Sequence, residues 1–384
     1  MAGDQGVLGI GMVGYAFMGR AHSQAWRNVA SFFELPRLPR MAAICGRDPE
    51  RVAAAAARLG WPAWETDWKR LVQRDDVDLV DVCTPGSSHA EISIAALEAG
   101  KHVLCEKPLA NTVEEARAMA AAADRAAAQG VRAMVGFNFR RVPAVALARE
   151  LVAAGRLGAI RHVRAAYLGA HLLDPEFPLV WRLQAEQAGS GALGDLGAHA
   201  VDLAQYLAGD RITGVSALTE TFVPERPLPG GGGARGPVTV DDAAVFIGRF
   251  AGGALGSFEA TRFATGHDEG LRVELNGELG SLVWELGAFN ELRFFDATED
   301  AATQGFRRIQ ATRSIHPYAA AWWPEGHTIG YEHTFTHEVR DLLEAIATGR
   351  DPAPSFADGL HVQQVLDAVQ RSAAAGSTWQ EVAP

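Results

Sequence analysis

The run Val7-Leu8-Gly9-Ile10-Gly11-Met12-Val13-Gly14-Tyr15-Ala16-Phe17-Met18-Gly19-Arg20-Ala21-His22 opens apolar, breaks on glycine and continues with helix formers. A short buried strand, a glycine turn and a helix in this order make the geometry that cradles a phosphate. Gly9 allows the tight turn, Gly11 lets the backbone approach a pyrophosphate with no Cβ in the way, and Gly14 lets helix and strand pack closely. The helix N-terminus then faces the anion with free N–H groups and a partial positive charge. Phe17 and Met18 join the cofactor-binding candidates from its first turn. Any strand–turn–helix rich in glycine mimics this motif. Its place one strand in from the N-terminus, with alternating strand and helix signals after it, gives it weight.

At 384 residues the chain exceeds one ordinary core, so two domains are expected. A hydrophobic content of 48% with 21% charged residues describes a soluble globular protein, and no apolar run is long enough to span a bilayer. Met1-Ala2-Gly3-Asp4-Gln5 lacks the basic and apolar parts of a signal peptide. Cys45, Cys83 and Cys105 cannot form a disulfide framework; each lies at or near the end of an expected buried strand and reads as a reduced thiol of a cytoplasmic protein. The formal charge of −11 argues against a nucleic-acid partner, so an anionic cofactor needs a local cationic or helix-end site.

Residues 40–47 read as the second strand and 49–59 as an alanine-rich helix, with Asp48 as cap and Pro49 at its first position. The end of that strand is where a dinucleotide fold selects its cofactor. An acid there holds the ribose hydroxyls of NAD, whereas an arginine pairs with the 2′-phosphate of NADP. Gly46-Arg47 leans toward NADP without excluding NAD, the plainer alternative being that Arg47 is a solvated loop residue. After a short helix over 68–72, the strand 77–83 ends in Thr84-Pro85-Gly86-Ser87-Ser88-His89, a polar turn at a position where doubly wound sheets bind ligands. A helix over 90–99 precedes a fourth strand, 101–105, which runs directly into Glu106-Lys107-Pro108. That charged pair is expected to point into the cleft rather than the core, with Pro108 giving Lys107 one preferred direction. A helix over 113–129, a strand over 131–137 and the stretch Asn138-Phe139-Arg140-Arg141-Val142-Pro143 close the alternating part.

From there the rhythm changes. A helix over 144–154 is followed by strand-like runs at 160–168, 212–223, 243–250, 254–262, 271–275, 281–286 and 292–295. They imply a mostly antiparallel sheet, covered on one face and open on the other. Residues 224–237, with Gly230-Gly231-Gly232-Gly233 inside, read as a flexible loop too polar and glycine-rich to pack. Two closing helices, near 332–348 and 358–375, are expected to pack against the sheet domain.

One segment of this half looks unlike framework: Gly189-Ser190-Gly191-Ala192-Leu193-Gly194-Asp195-Leu196-Gly197-Ala198-His199. Asp195 and His199 stand four apart and project from one helix face. Asp195 is expected to stay ionised through the helix dipole and backbone N–H groups, and a carboxylate beside an imidazole orients it for general acid/base work. His333 and His337, also four apart, lack a third ligand at useful spacing; they read as a solvated helix face, and no metal is expected.

Gly9-x-Gly11-x-x-Gly14 with His22, Thr84-Pro85 with His89, Glu106-Lys107-Pro108 and Gly194-Asp195-x-x-x-His199-x-x-Asp202, in this order, resemble the Gfo/Idh/MocA oxidoreductases over essentially the whole chain. Residues 175–182, 224–227 and 354–359 resemble the branch holding levoglucosan and inositol dehydrogenases, while Gly46-Arg47 stands where its NAD-dependent members usually carry an acid. The resemblance implies an α/β Rossmann domain over 1–138, with a doubly wound parallel sheet. It implies an α+β substrate-binding and oligomerisation domain over 139–384, with an open-faced, mostly antiparallel sheet, and that open face predicts a homodimer or homotetramer. The implied reaction is hydride transfer between NAD or NADP and a secondary alcohol or ketone of a sugar, anhydrosugar or cyclitol. His199 then accepts the hydroxyl proton, Lys107 stabilises charge on the same oxygen, and Asp195 holds the imidazole. Gly9, Gly11, Gly14, Phe17, Met18, Gly46, Arg47, Thr84, Pro85, His89, Glu106, Lys107, Trp181 and Arg182 are the cofactor-binding candidates. Asn138, Tyr167, His171, Arg182 and His316 join Lys107, Asp195 and His199 as substrate-binding candidates. An NAD-dependent glycoside hydrolase and a non-catalytic nucleotide-sensing regulator are the alternatives on the same scaffold.

Overall fold

Six strands, the central ones buried on both faces, form the first sheet of the computed structural model, which describes residues 6–230 and 232–383. Met1 to Gln5, which lack the pattern of a signal peptide, Gly231 of the glycine loop and Pro384 lie outside the described residues. The strands are β1 (Val7–Val13), β2 (Leu38–Cys45), β3 (Trp64–Glu65), β4 (Leu79–Val82), β5 (His102–Glu106) and β6 (Ala133–Gly136), in the order β3-β2-β1-β4-β5-β6. All pairs are parallel. The crossovers carry α1 (Phe17–Phe32), α2 (Pro49–Leu59), α3 (Trp68–Val72), α4 (His89–Glu98) and α5 (Val113–Ala127). Local chemistry sets their ends. Asp48 caps α2 through the amide of Arg51, Gly60 in the left-handed region stops it, and Thr112 with Glu115 forms a capping box on α5. The strand order reverses between β1 and β4, the switch point at which such sheets open a crevice.

The second unit, Val142–Ile329 with the residues from His361 onward, begins with α6 (Pro143–Ala153) and β7 (Ile160–Gly169), followed by α7 (Ala185–Ala188) and α8 (Ala198–Ala208). Its remaining strands are β8 (Ile212–Glu220), β9 (Glu225–Pro227), β10 (Arg235–Pro237), β11 (Ala243–Phe250), β12 (Leu255–Thr261), β13 (Glu269–Gly277), β14 (Gly280–Glu285), β15 (Glu291–Asp296), β16 (Arg307–Gln310) and β17 (Gln380–Glu381). The large sheet runs β16-β15-β14-β13-β7-β12-β11-β8-β17, and β7–β12 is the one parallel pair among its described strands. Helix α8 packs on β7 and β13. Along β11, Ala244, Phe246 and Phe250 are buried, whereas Val245 and Ile247 are 52% and 57% exposed. With Leu218 and Leu255 they leave an apolar open face in this unit.

The two ends of the loop at 224–237, Glu225–Pro227 and Arg235–Pro237, are structured, contrary to expectation. β9 and β10 pair as a ribbon closed by a hydrogen bond from the Leu228 amide to the Ala234 carbonyl. Arg226 is buried at its base and donates to the carbonyl oxygens of Asp174 at 2.7 Å and Leu172 at 2.8 Å. The polarity that argued against burial satisfies the carbonyls of a neighbouring loop.

The first closing helix, α9 (Tyr331–Thr348), belongs to the first unit, which runs to Arg141 and takes in Gly330–Leu360; the second, α10 (Phe356–Ala374), straddles that division. Phe335, Val339, Leu342 and Leu343 of α9 join Leu8, Trp26 and Val29 in one core. This corrects both the helix's expected seat on the sheet domain and the expected extent of the second domain, 139–384. Helical periodicity shows that a face must be buried and is silent on which partner buries it. Among the described residues no helix is long and apolar enough to cross a membrane.

Candidate active site

The glycine turn lies five residues later than the sequence suggests. β1 continues to Val13, so Gly9 and Gly11 are interior strand positions: a Cβ on Gly9 would stand 2.0 Å from the Asp76 carbonyl oxygen, and one on Gly11 2.7 Å from Cδ2 of Leu71. They are sheet glycines and do not line the turn. The chain turns at Gly14, whose φ of +107° suits glycine, and a Cβ on Gly19 would meet the Gly14 carbonyl oxygen at 2.3 Å. The working pattern is therefore Gly14-x-Ala16-x-x-Gly19. Ala16 and Gly19 were missed, although a strand of ordinary length, about five or six residues, counted from Val7 already takes in Gly9 and Gly11.

Ala16 gives α1 no side-chain cap, and no acid sits in its first turn. α2 and α5 are both capped. The positive end of α1 thus has the character of an anion site, and the residues here fit a dinucleotide's phosphates. Phe17 is exposed and Met18 half-buried in that first turn. At the end of β2 the Tyr15 ring lies across Gly46, where a Cβ would come within 1.9 Å of its Cε1, and Arg47 beyond it is exposed.

Behind the neighbouring strand ends lies a buried polar network. His22 on α1 places Nδ1 3.0 Å from both carboxylate oxygens of Asp81 and Nε2 2.9 Å from Oε1 of Glu106. The other Glu106 oxygen accepts the Lys107 amide N–H at 3.0 Å. Burial, the largest single influence, works against the charge on His22; Asp81 and Cys83 together overcome it and hold the pKa well above its ordinary value. Glu106, expected to face the cofactor, is instead turned into the core, where His22 supplies its counter-charge. His89 is likewise buried, with Nδ1 3.0 Å from the Pro108 carbonyl and Nε2 2.9 Å from that of Thr84. It ties the Thr84-Pro85 turn to the Lys107-Pro108 turn and so acts on the cofactor side only through them. Burial opposes its charge, but Cys105 and the two carbonyls raise its pKa to about 9. Asn138 is also buried, and its amide donates to Thr334 of α9 at 2.9 Å, which makes it a fastening of that helix rather than an open sugar contact.

His333 and His337 do not form a solvated face. His337 is fully buried with Nδ1 on the Arg141 carbonyl, and burial drops its pKa to about 3; His333 Nδ1 accepts the Gly330 amide. Among the described residues the ligand-type atoms of His22, Asp81 and Cys83 come within 4.8 Å of one another, but hydrogen bonds account for that cluster.

The second group of candidates lies in the other unit. A wide, π-type turn over Leu193–Gly197 leads into α8 and carries Asp195, half-buried, one turn before the buried His199. The turn's leading amides are not left for Asp195, as expected, because the Asp241 carboxylate accepts from Gly191 at 2.7 Å and Leu193 at 2.8 Å. Arg262 supplies the counter-charge instead. Burial lowers its pKa, and Asp195, Asp241 and Asp242 pull it back up. No sequence pattern marks Asp241 or Arg262, which meet this turn only through the fold. The Tyr167 ring stands 6.0 Å from the His199 ring. Arg182, exposed, stacks over Trp181 at 4.4 Å, and His171 is exposed. His316 is half-buried, accepts the Arg313 amide at 3.1 Å, and has its pKa lowered by burial and by Arg313.

Residues 8–137 match the family model described as "Oxidoreductase family, NAD-binding Rossmann fold", and residues 145–283 match the "GFO/IDH/MocA C-terminal domain". The chain belongs to the Gfo/Idh/MocA oxidoreductases. It is 43% identical to levoglucosan dehydrogenase of Pseudarthrobacter phenanthrenivorans, covering 98% of each chain. An oxidoreductase domain protein from Kribbella flavida superposes with a TM-score of 0.96 at 64% identity, over 99% of this chain and all 100% of that one. A levoglucosan dehydrogenase in complex with NADH and levoglucosan superposes with a TM-score of 0.93 at 43% identity, over 98% of this chain and 100% of that one. In this Gfo/Idh/MocA member the first unit is thus an NAD-binding Rossmann domain, with Gly14, Ala16 and Gly19 shaping its turn. The second unit offers a buried imidazole against a phenol ring, with a carboxylate one turn before it, a set that can take a proton.

Proposed function

We propose that this oxidoreductase interconverts a secondary alcohol and a ketone on an anhydrosugar, sugar or cyclitol, with levoglucosan the first substrate to try. The observation that carries the reading is the buried His199, with Tyr167 against its ring and Asp195 one turn before it, in a chain whose α1 presents an uncapped N-terminus. The levoglucosan dehydrogenase that binds NADH and levoglucosan supports the substrate class.

His199 accepts the substrate hydroxyl proton, and Asp195, itself balanced by Arg262, keeps the imidazole oriented. Lys107 donates to the substrate oxygen and stabilises negative charge as it grows there. Tyr167, Arg182, His171 and His316 offer further polar groups to the hydroxyls. A bound nicotinamide would supply the hydride acceptor. The amides at Gly14 to Met18 and the turns at Thr84-Pro85 and Gly46-Arg47 hold the dinucleotide. NAD is the cofactor supported by the relatives, and the exposed Arg47 extends the reading to NADP by pairing with a 2′-phosphate. The open face of β11 suits a homodimer or homotetramer, and three buried free thiols suit the cytoplasm.

The test is an absorbance assay at the reduced-nicotinamide band, with NAD and NADP each offered levoglucosan, other anhydrosugars, aldoses and cyclitols. Lys107→Ala and His199→Ala are each expected to lose on the order of 100-fold to 10,000-fold in turnover. Full turnover retained by both would overturn the assignment, and Arg47→Glu is expected to shift the NADP-to-NAD preference toward NAD.

A further inference from the structure

We propose that His22 is a positioning residue for the Lys107 turn, acting through Asp81 and Glu106; the inference rests on Lys107 having the role given above. Three segments far apart in the chain converge on its ring: α1 carries it, the end of β4 brings Asp81 and the end of β5 brings Glu106. Each ring nitrogen faces a carboxylate within about hydrogen-bond reach, 3.0 Å to Asp81 and 2.9 Å to Glu106. Ionised carboxylates only accept, so the ring donates from both nitrogens and bridges the two acids as an imidazolium.

The far side of the network is held as firmly. Trp26 donates its indole N–H to Oδ2 of Asp81 at 2.7 Å, and the Cys83 thiol donates to Oδ1 at 3.4 Å, so Asp81 has little freedom to turn. Glu106 is fixed at one oxygen by His22 and spends the other on the Lys107 amide at 3.0 Å. The backbone from which the Lys107 side chain departs is therefore tied through two side chains to the first helix of the nucleotide domain. Glu338 of α9, 3.6 Å from Arg141, also feels His22, Glu106 and Asp81, and it completes the charged groups around the ring. Buried ion networks are poor sources of net stability, and what they supply instead is a fixed geometry. Here the geometry belongs to the turn that carries the lysine.

The chain's lysine content makes a direct test possible, since Lys69, Lys101 and Lys107 are its only lysines. Reductive methylation of the whole protein with ¹³C-formaldehyde gives three dimethyl-lysine signals beside the α-amino group, and Lys107→Arg assigns the one of interest. In His22→Gln, the Lys107 signal is expected to shift and broaden while those of Lys69 and Lys101 stay in place. In the unmethylated enzyme, kcat is expected to fall on the order of 100-fold, the effect of a displaced reacting group. NADH affinity, read by fluorescence titration, and KM for the nucleotide are expected to hold. Should His22→Gln fail to fold, the His22→Gln, Asp81→Asn pair removes one charge of each sign and is read the same way. An unmoved Lys107 signal, or wild-type kcat in a folded variant, overturns the proposal. Failure of both variants to fold overturns it too, since the network would then be an element of stability. A wild-type protein inactive with every sugar and nucleotide would refute the proposed reaction, while the methyl-lysine spectra would still decide the role of His22.

Discussion

A Cβ on Gly19 would stand 2.3 Å from the carbonyl oxygen of Gly14, so α1 meets the turn after β1 backbone to backbone. The approach fixes where the positive end of that helix sits. Gly19→Val must push the helix away, and NADH affinity in a fluorescence titration is expected to fall by more than about 100-fold, since every phosphate-facing amide moves together. Wild-type affinity in this variant would show that the turn is not the phosphate cradle.

Asp241 accepts from two amides at the head of the turn that carries Asp195. Asp241→Ala strands both, and each unmet buried donor costs about 1–3 kcal/mol. Urea unfolding is expected to show a loss of about 2–5 kcal/mol, with kcat reduced beside it because the Asp195 backbone loses its anchor. An unchanged midpoint would remove Asp241 from this role.

The Rossmann half was legible in the sequence because parallel strands covered on both faces read as apolar runs, and caps such as Asp48 and Thr112 lie beside the helices they start. The phosphate turn was misread by register: three glycines at the right spacing, Gly9, Gly11 and Gly14, overlie the true set, and spacing cannot tell a sheet glycine from a turn glycine until the strand's end is known. The inward turn of Glu106 and the burial of His89 and His337 were hidden for another reason. A charged or polar residue at a strand end or on a helix reads as exposed unless its partner is known, and each of these three has a partner from a distant segment. That Asp195 falls one turn ahead of His199 was legible because four residues along a helix are a local relation, whereas Arg262 became visible only in three dimensions.

Burial holds the Glu338 carboxyl up at about 8, from an ordinary 4.5, against the pull of Arg141. His89 is raised from 6.5 to about 9, its contacts with Cys105 and two carbonyls overcoming burial. In both cases the folded state keeps a proton that the unfolded chain releases. The stability this contributes is therefore full below the unfolded values and is lost as pH rises through about 8 and 9. The melting temperature is expected to drop from about pH 6 to about pH 9, and Glu338→Gln, which cannot ionise, should flatten that drop. An equal slope in both proteins would contradict the assignment.

Val245 and Ile247 point outward from β11 beside Leu218 and Leu255. Ile247→Lys puts a charge in the middle of that apolar face. If copies of the chain associate there, sedimentation velocity should show the variant shifting to a smaller species at micromolar concentration while the circular dichroism spectrum stays native. Equal sedimentation of both proteins would move the interface elsewhere.

The ribbon of β9 and β10 is anchored at its root, where Arg226 reaches the carbonyls of Leu172 and Asp174, while its crown between Leu228 and Ala234 is joined by a single backbone bond. Crown and root are therefore separable. Residues can be added at the crown without unseating the guanidinium, which makes it a natural insertion point for a fluorescent reporter or an affinity tag, and a place where related chains can differ in length while keeping the arginine beneath.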